Sequence, residues 1–600
     1  MFPHTSKGRI ETRYAWGVTR ILLGLACLAG LCLQNTIAKE RPHKTEPIAA
    51  ASGGQINFPA SLIPKIPPSM PTVKLTAQAP PESFLRETLG KVGVKTESIK
   101  PLSHTKLMGE RNVPKELVGV TEKNHVHAYW HQQTGEVEIF PEFGKLTPEK
   151  FEGKGDAHLG KAVMVAKGVF ARPDIIPHDA TKFTLGEARA IVGSTAQRAS
   201  GSGKPTVSTP QIYLTYVPVF RTVNGMNVVG TGSRAAVAVG NEGNIHGMVL
   251  HWKAGTLSTE AREGRTAAQV HAELKKLLEP LAKEGDVEVL SVEIAYYDGN
   301  GDSMLPVYRT ISRVHPHALP EGSPELLKTD DYFVTYLAYG GGQLPGALVQ
   351  GSGPQPTRVP KDRAAVSSGE VPAGDPTVGR YVVQNAPAPP NESAGFVAEA
   401  NGFWTGLQSS ILAPFFTNAQ YYWDSPAMFT TQEASYVNSV NIALTEAHGA
   451  PWWFSTQSDC CDAVTINTIP ASQGYGGFNH GQLDFWIIHS CAVVPSPQEK
   501  SDWAGPWWNV FQGLHAVMGA HTAMYFDGGA VNQPFGQNIG NGAAVVPAWF
   551  NAMLSYNSPT NEPPVDRPSA VYVCGFENDS ALDIAPLPPP NCLTVLYQPD

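Results

Sequence analysis

The sequence predicts two folds in one chain: an α+β region over residues 81–348, followed by an α/β domain with a mainly parallel sheet over residues 401–600. Three observations lead there. Residues 184–313 alternate helix-like and strand-like patterns. Residues 437–447 and 483–489 are apolar, strand-like runs of the kind that parallel sheets bury, and each ends in a short polar stretch. The composition also changes near residue 400. Lys/Arg and Asp/Glu balance at 37 each over residues 40–400, whereas beyond them 15 acidic residues face only Lys500 and Arg567, and nine of the twelve tryptophans lie there. A chain of 600 residues is too long for a single hydrophobic core, so several units are expected.

Taken in order, the chain opens with Lys7, Arg9, Arg13 and Arg20, an apolar run over 21–33, and Thr36-Ile37-Ala38. This is the pattern of a signal peptide, residues 1–38, since the apolar run falls short of the ~20 residues that span a bilayer. Export to the cell envelope or beyond follows. No later stretch holds 18 uninterrupted apolar residues, so no membrane contact beyond the leader is expected. Residues 39–80, with Pro64, Pro67, Pro68 and Pro71, read as a Pro-rich tether.

Residues 126–131 and 137–140 flank a Gly-bearing turn and read as a β-hairpin. Residues 184–197 read as a helix, and 211–222, 226–239 and 245–253 as strands. A second helix is expected over 266–279, with Val270, Leu274, Leu277 and Leu278 on one face and Pro280 at its end. Strands follow at 287–297 and 305–313. Asp298-Gly-Asn-Gly-Asp302 has the composition of a calcium loop, but position 309 is Arg where a glutamate ligand is needed, so a tight turn is expected. This order of helix and antiparallel strands resembles the PepSY and thermolysin-propeptide-like domains that precede secreted bacterial peptidases. The resemblance implies an inhibitory or folding role for residues 81–348. Residues 349–400 are rich in Gly, Pro, Ser and Ala and read as a flexible linker, with Arg358, Lys361, Arg363 and Arg380 open to proteolysis.

Zinc-helix, nucleophile-elbow and phosphate-loop motifs are absent, and Gly201-Ser-Gly-Lys204 is followed by Pro205. The chemistry-bearing residues stand instead after the two apolar runs, at His448-Gly449 and at Ser490-Cys491, 43 residues apart from His to Cys. In a parallel α/β sheet functional groups collect where strands end. A thiol is mostly protonated near neutral pH and needs an imidazole neighbour to become a nucleophile.

A strand followed by His-Gly, then a strand followed by a small residue and Cys, resembles the clan of caspases, legumains, gingipains and clostripains. Trp507 and the Gly513-Leu-His515 segment extend the similarity to a bacterial family of uncharacterised caspase-like domains, over residues 401–550. The resemblance implies a caspase-like sheet and a cysteine endopeptidase. His448 and Cys491 would be its catalytic dyad, and the amides of Gly449 and Cys491 its oxyanion hole. His489, Trp503, Trp507 and His515 are expected to line the site, His515 from a helix over 507–518. Neither a cofactor nor a metal is expected.

Removing the leader leaves Cys460, Cys461, Cys491, Cys574 and Cys592, an odd number in an oxidising compartment. Pairing of Cys574 with Cys592 would leave Cys491 free to react. The acidic surface excludes nucleic acid as a partner and favours a cationic peptide or protein substrate. The alternative from another class is a non-catalytic extracellular module that binds through its tryptophans.

Overall fold

The strands Ile442–Glu446 and Phe485–His489 are buried at every residue, their apolar residues suiting strands covered on both faces and their polar Thr445, Glu446 and His489 bonded within the protein. A computed structural model describes them within residues 54–599, apart from 106–112, 152, 154–156, 199–204, 284, 317–329, 342–343, 345–352, 359–374, 385–393, 411–414, 457–462, 528, 557–565 and 583–584. The expected leader, Lys361, Arg363, Cys460 and Cys461 lie outside the described residues. Among the described residues, no helix is long and apolar enough to cross a membrane.

The protein is a mixed α/β fold dominated by sheet. Thr417–Trp423 pairs with Thr377–Val382, then come Ile442–Glu446, Phe485–His489 and Ala516–Ala520, and all four pairings are parallel. The same sheet then turns antiparallel through Pro568–Val573 and Cys592–Tyr597. From there it runs into the N-terminal half by way of Arg189–Gln197, Gln211–Val223, Arg234–Gly240 and Ile245–His251. The helices Ala394–Gln408 and Val545–Leu554 pack against its C-terminal part. The expectation of a mainly parallel sheet is therefore corrected to a large mixed one, whose parallel portion holds the strands ending at His448 and Cys491.

A second antiparallel group, Gly285–Tyr297, Ser303–Pro316 and Asp331–Ala338, follows the expected alternation. Its last strand pairs in parallel with Tyr525–Phe526, with Tyr332 opposite Tyr525. The helix Ala267–Leu278 starts where expected because Thr266 and Gln269 form a reciprocal capping box, and it buries Val270, Leu274 and Leu278. The Asp298 loop is the turn between two strands, its carboxylate accepting from the Asn300 amide and the Ser233 hydroxyl.

Several expectations are overturned by packing. Residues 377–382, inside the expected linker, form a fully buried strand in the middle of the parallel group. Arg380 on it is 1 % exposed, its guanidinium over the Tyr421 ring and bonded to the Ala400 carbonyl, so it is closed to proteolysis. Within the expected tether, Ser69–Thr76 is a strand paired with Ala254–Glu263. Pro71, which has no N–H to give, sits beside the register shift of that pair. The expected helix over 184–197 is instead Thr181–Leu185 and Arg189–Gln197, two strands. A β-carbon on Gly193 would meet the Tyr213 ring at 2.6 Å, so this strand is fitted closely to its neighbours. The helix over 507–518 stops at Val510, and after Gly513 at φ +113° the chain enters the strand Ala516–Ala520.

These pairings remove the expected independence of residues 401–600. Residues 50–600 form one compact unit, and one hydrophobic core runs through both halves. A fragment beginning at residue 401 lacks the strand between Thr417–Trp423 and Ile442–Glu446. It should express as insoluble or molten protein, whereas a chain beginning at residue 54 should melt cooperatively. Circular dichroism melts of the two would decide this, and a sharp transition for the shorter one would refute the shared core.

Candidate functional site

The register of two parallel strands builds the site. Glu446 stands opposite His489, and one more ladder bond, from the Ala447 amide to the His489 carbonyl, extends the pair to 3.4 Å. His448 and Cys491 each follow two residues later, at the same level beyond the C-terminal edge of strands that lie about 4.8 Å apart. Gly449 lets the two segments touch. A β-carbon there would lie 2.2 Å from the Ser490 hydroxyl and 2.8 Å from the Cys491 carbonyl oxygen.

The chain leaves this edge through strained backbone. Ala492, directly after Cys491, has φ 54°, and Trp452 has φ 61°, a region that side-chain-bearing residues rarely adopt. Two bonds hold these turns: the Ala492 amide to the Thr522 carbonyl at 2.8 Å, and the Trp452 amide to the Val493 carbonyl at 3.2 Å. Non-glycine residues persist in this conformation when their surroundings over-determine it, as often happens at functional sites.

His448 is buried, and its Nδ1 lies 3.1 Å from Oδ1 of Asp331. The Phe396 ring meets the imidazole edge-on at 4.9 Å. Asp331 comes from the N-terminal half, at the start of the strand whose Tyr332 pairs with Tyr525. The Met524 amide, next to that pairing, donates to the Cys491 sulfur at 3.4 Å. The two halves thus meet at the thiol. Cys491 is free, and burial pushes its thiol up to about 12, with the Asp331 and Asp566 carboxylates opposing the thiolate further. The resting group is therefore a protonated thiol that needs a base at the moment of reaction. Beside it, the Ser490 hydroxyl is buried with no hydrogen-bond partner among the described residues.

The other expected site residues take different places. His489 is buried in the sheet, its Nδ1 2.7 Å from Glu446, and its pKa is lowered by burial. Glu446 also accepts from Asn532 at 2.9 Å, while Glu399 accepts from the amides of Asp527 and Gly529 at 3.0 Å each. Burial raises both glutamates well above the usual carboxylate range. His489 thus belongs to a polar network under the edge whose carboxyl groups burial holds toward the neutral form.

Trp503 and Trp507 are fully buried and pack the core, as do the largely buried Trp453 and Trp508, so they cannot present faces to a ligand. His515 stands opposite Asp484, just before the strand Ala516–Ala520, with Nδ1 2.5 Å from Asp579. That is the N-terminal end of the parallel strands, five residues and about 16 Å before the edge from which His448 and Cys491 emerge. The site-lining expectation for His515 is corrected accordingly. The expected pairing of Cys574 with Cys592 is present as a disulfide.

Asp331 was missed because it lies 117 residues before His448 and outside the composition shift that marked the C-terminal region. The only local signal was Asp330-Asp331 ahead of an alternating strand.

Residues 383–572 match the model of a domain of unknown function, DUF6345. The match covers the strands that carry His448 and Cys491 and leaves out Asp331 and the strand Thr377–Val382. No curated protein matches the chain. Among solved structures, an uncharacterized protein from Eubacterium rectale ATCC 33656 is similar at 13% identity and a TM-score of 0.26, over 48% of this chain and 88% of that one.

Proposed function

We propose that the protein is an exported cysteine peptidase-like enzyme with a caspase-like arrangement around its parallel strands. Cys491 is the nucleophile, His448 the general base and acid, and Asp331 the residue that positions the imidazole. The observation that carries this reading is the 3.1 Å contact between His448 Nδ1 and Asp331, made where the strand register sets His448 level with Cys491. A nucleophile beside a base that a third group orients is the recurring arrangement of acyl-transfer sites. The Cys574–Cys592 disulfide supports export, because such bonds persist in oxidising compartments.

With Nδ1 facing Asp331, Nε2 is the proposed acceptor of the thiol proton as sulfur attacks a carbonyl carbon. The tetrahedral intermediate collapses as Nε2 returns that proton to the leaving amine. Water, deprotonated by the same nitrogen, then hydrolyses the thioester and frees the sulfur. The amides of Gly449 and Cys491 are the proposed donors to the oxyanion, with no β-carbon at Gly449 to block the approach. A thiol at about 12 makes the base essential, since the thiolate is negligible at neutral pH without it.

Iodoacetamide labelling tests the coupling. Near neutral pH the rate at Cys491 in the wild type should exceed that of His448→Ala by about tenfold or more. In His448→Ala it should rise about tenfold per pH unit to beyond pH 10, following the thiol alone. Superimposable profiles would refute the dyad. Asp331→Asn preserves shape and should lower kcat/KM on any cleaved peptide by about a hundredfold or more. The acidic excess of residues 401–600 leads to an expectation of cleavage beside Lys or Arg, weakening as salt rises. In a peptide library, preference for acidic residues, or cleavage retained by Cys491→Ala, would count against it.

A further inference from the structure

At the far end of the large sheet, where the N-terminal half meets the loop after Val573, a second cluster of chemistry-bearing side chains is buried. His125 and His127 flank Val126 at the start of the strand Val126–His131, where its pairing with Leu117–Thr121 shifts register. Both are 4 % exposed. Glu142 follows the strand Val137–Ile139 and is 6 % exposed, while Glu122 follows Leu117–Thr121 and reaches solvent. Glu142 Oε1 lies 3.3 Å from His125 Nε2 and 3.8 Å from His127 Nδ1. Neither His127 Nδ1 nor Glu142 Oε1 has a hydrogen-bond partner among the described residues. Ligand atoms of Glu122, His127 and Glu142 lie within 4.8 Å of one another.

The hydrogen bonds around His125 fix which atom faces this cluster. Asn124 Nδ2 donates to Asp579 Oδ1 at 3.0 Å, so its amide oxygen is the atom 3.0 Å from His125 Nδ1 and must accept from it. Nε2 then faces the Glu142 carboxylate at 3.3 Å, where either a proton or a metal cation can bridge the two. An outer hydrogen bond that sets the tautomer of a buried histidine is what metal-ligating imidazoles typically have. Around a tetrahedral divalent zinc with bonds of about 2.0–2.1 Å, ligand atoms stand about 3.3 Å apart, so Glu122, His127 and Glu142, whose ligand atoms lie within 4.8 Å of one another, would draw in around a bound ion. Lys145, whose ammonium bonds Glu142 and lies 3.1 Å from Glu122, supplies positive charge at the rim. Its side chain is 60% exposed and can swing away.

We propose that Glu122, His127 Nδ1 and Glu142, joined by His125 Nε2 once the metal draws it in, form a binding site for a divalent borderline metal of the zinc class, against the expectation that the protein binds none. Two imidazoles and two carboxylates balance the metal charge and suit zinc better than calcium or magnesium, which prefer oxygen ligands throughout. The site is distinct from the His448–Cys491 edge. Through Asn124, Asp579 and His515 it is joined to the N-terminal end of the parallel strands. Its role is to clamp the hairpin of the N-terminal half to the loop after Val573.

The test uses the untagged chain from residue 54, stripped with a chelator and titrated with Zn²⁺ or Co²⁺ alone. The wild type should retain one equivalent of zinc after desalting, give the visible absorption of tetrahedral cobalt, and melt at a higher temperature with zinc than without. His127→Gln and Glu142→Gln should weaken binding about a hundredfold or more, and Asn124→Ala about tenfold. Should the buried variants fail to fold, two exposed positions still decide: Glu122→Gln should weaken binding and Lys145→Ala, by removing the competing cation, should tighten it. Cys491→Ala should leave affinity unchanged, which separates this site from the proposed catalytic one. No retained metal in the wild type, or affinity equal in the wild type, Glu122→Gln and Lys145→Ala, would overturn the proposal.

Discussion

The pairing of Glu446 with His489 is the constraint on which the candidate site depends. Two parallel strands can carry His and Cys to a common edge only if their register is right, and a slip by one residue would turn every side chain to the opposite face. The pair is held by more than ladder bonds. Glu446 and His489 bond each other inside the sheet, Asn532 bonds the same carboxylate, and Glu399 anchors the turn at Asp527. Apolar packing alone tolerates sliding. A buried hydrogen-bonded pair does not, because a shifted register would leave its polar atoms unpaired.

This register is in turn braced by the N-terminal half. Asp331 reaches His448 from a strand that pairs with Tyr525, and Met524 beside that pairing touches the Cys491 sulfur. A chain cut near residue 400 would keep the proposed nucleophile and base and lose the carboxylate that orients the base. The N-terminal half shares the core with the C-terminal part and lends Asp331 to His448.

What was legible in the sequence follows physical lines. The strands before His448 and Cys491 were readable because burial on both faces favours mostly apolar residues, and the helix Ala267–Leu278 because Thr266 and Gln269 signal its start. Residues 189–197 misled because their Ala and Arg content favours helix, while the pairing with Cys592–Tyr597 and Gln211–Val223 that makes them a strand is remote in sequence. Residues 377–382 were hidden by composition. Their Gly379 and Arg380 suit a linker, and only the stacking of Arg380 on Tyr421 and Trp404 lets that charge stand in a buried strand. Tryptophan enrichment likewise signalled a dense core rather than an exposed binding face.

The strand Cys592–Tyr597 fills the gap between Pro568–Val573 and Arg189–Gln197, where Thr594 faces Thr195 across 399 residues of chain. During synthesis, the N-terminal half therefore waits with an unpaired strand edge until residues 592–597 arrive. Contacts so distant in sequence slow folding, and open edges in the meantime invite pairing between chains. The closing strand also carries Cys592, whose bond to Cys574 holds it against its neighbour across a loop of 18 residues. Oxidation is thus coupled to sealing the sheet, so a reducing compartment would leave the last-formed pairing as the most labile one.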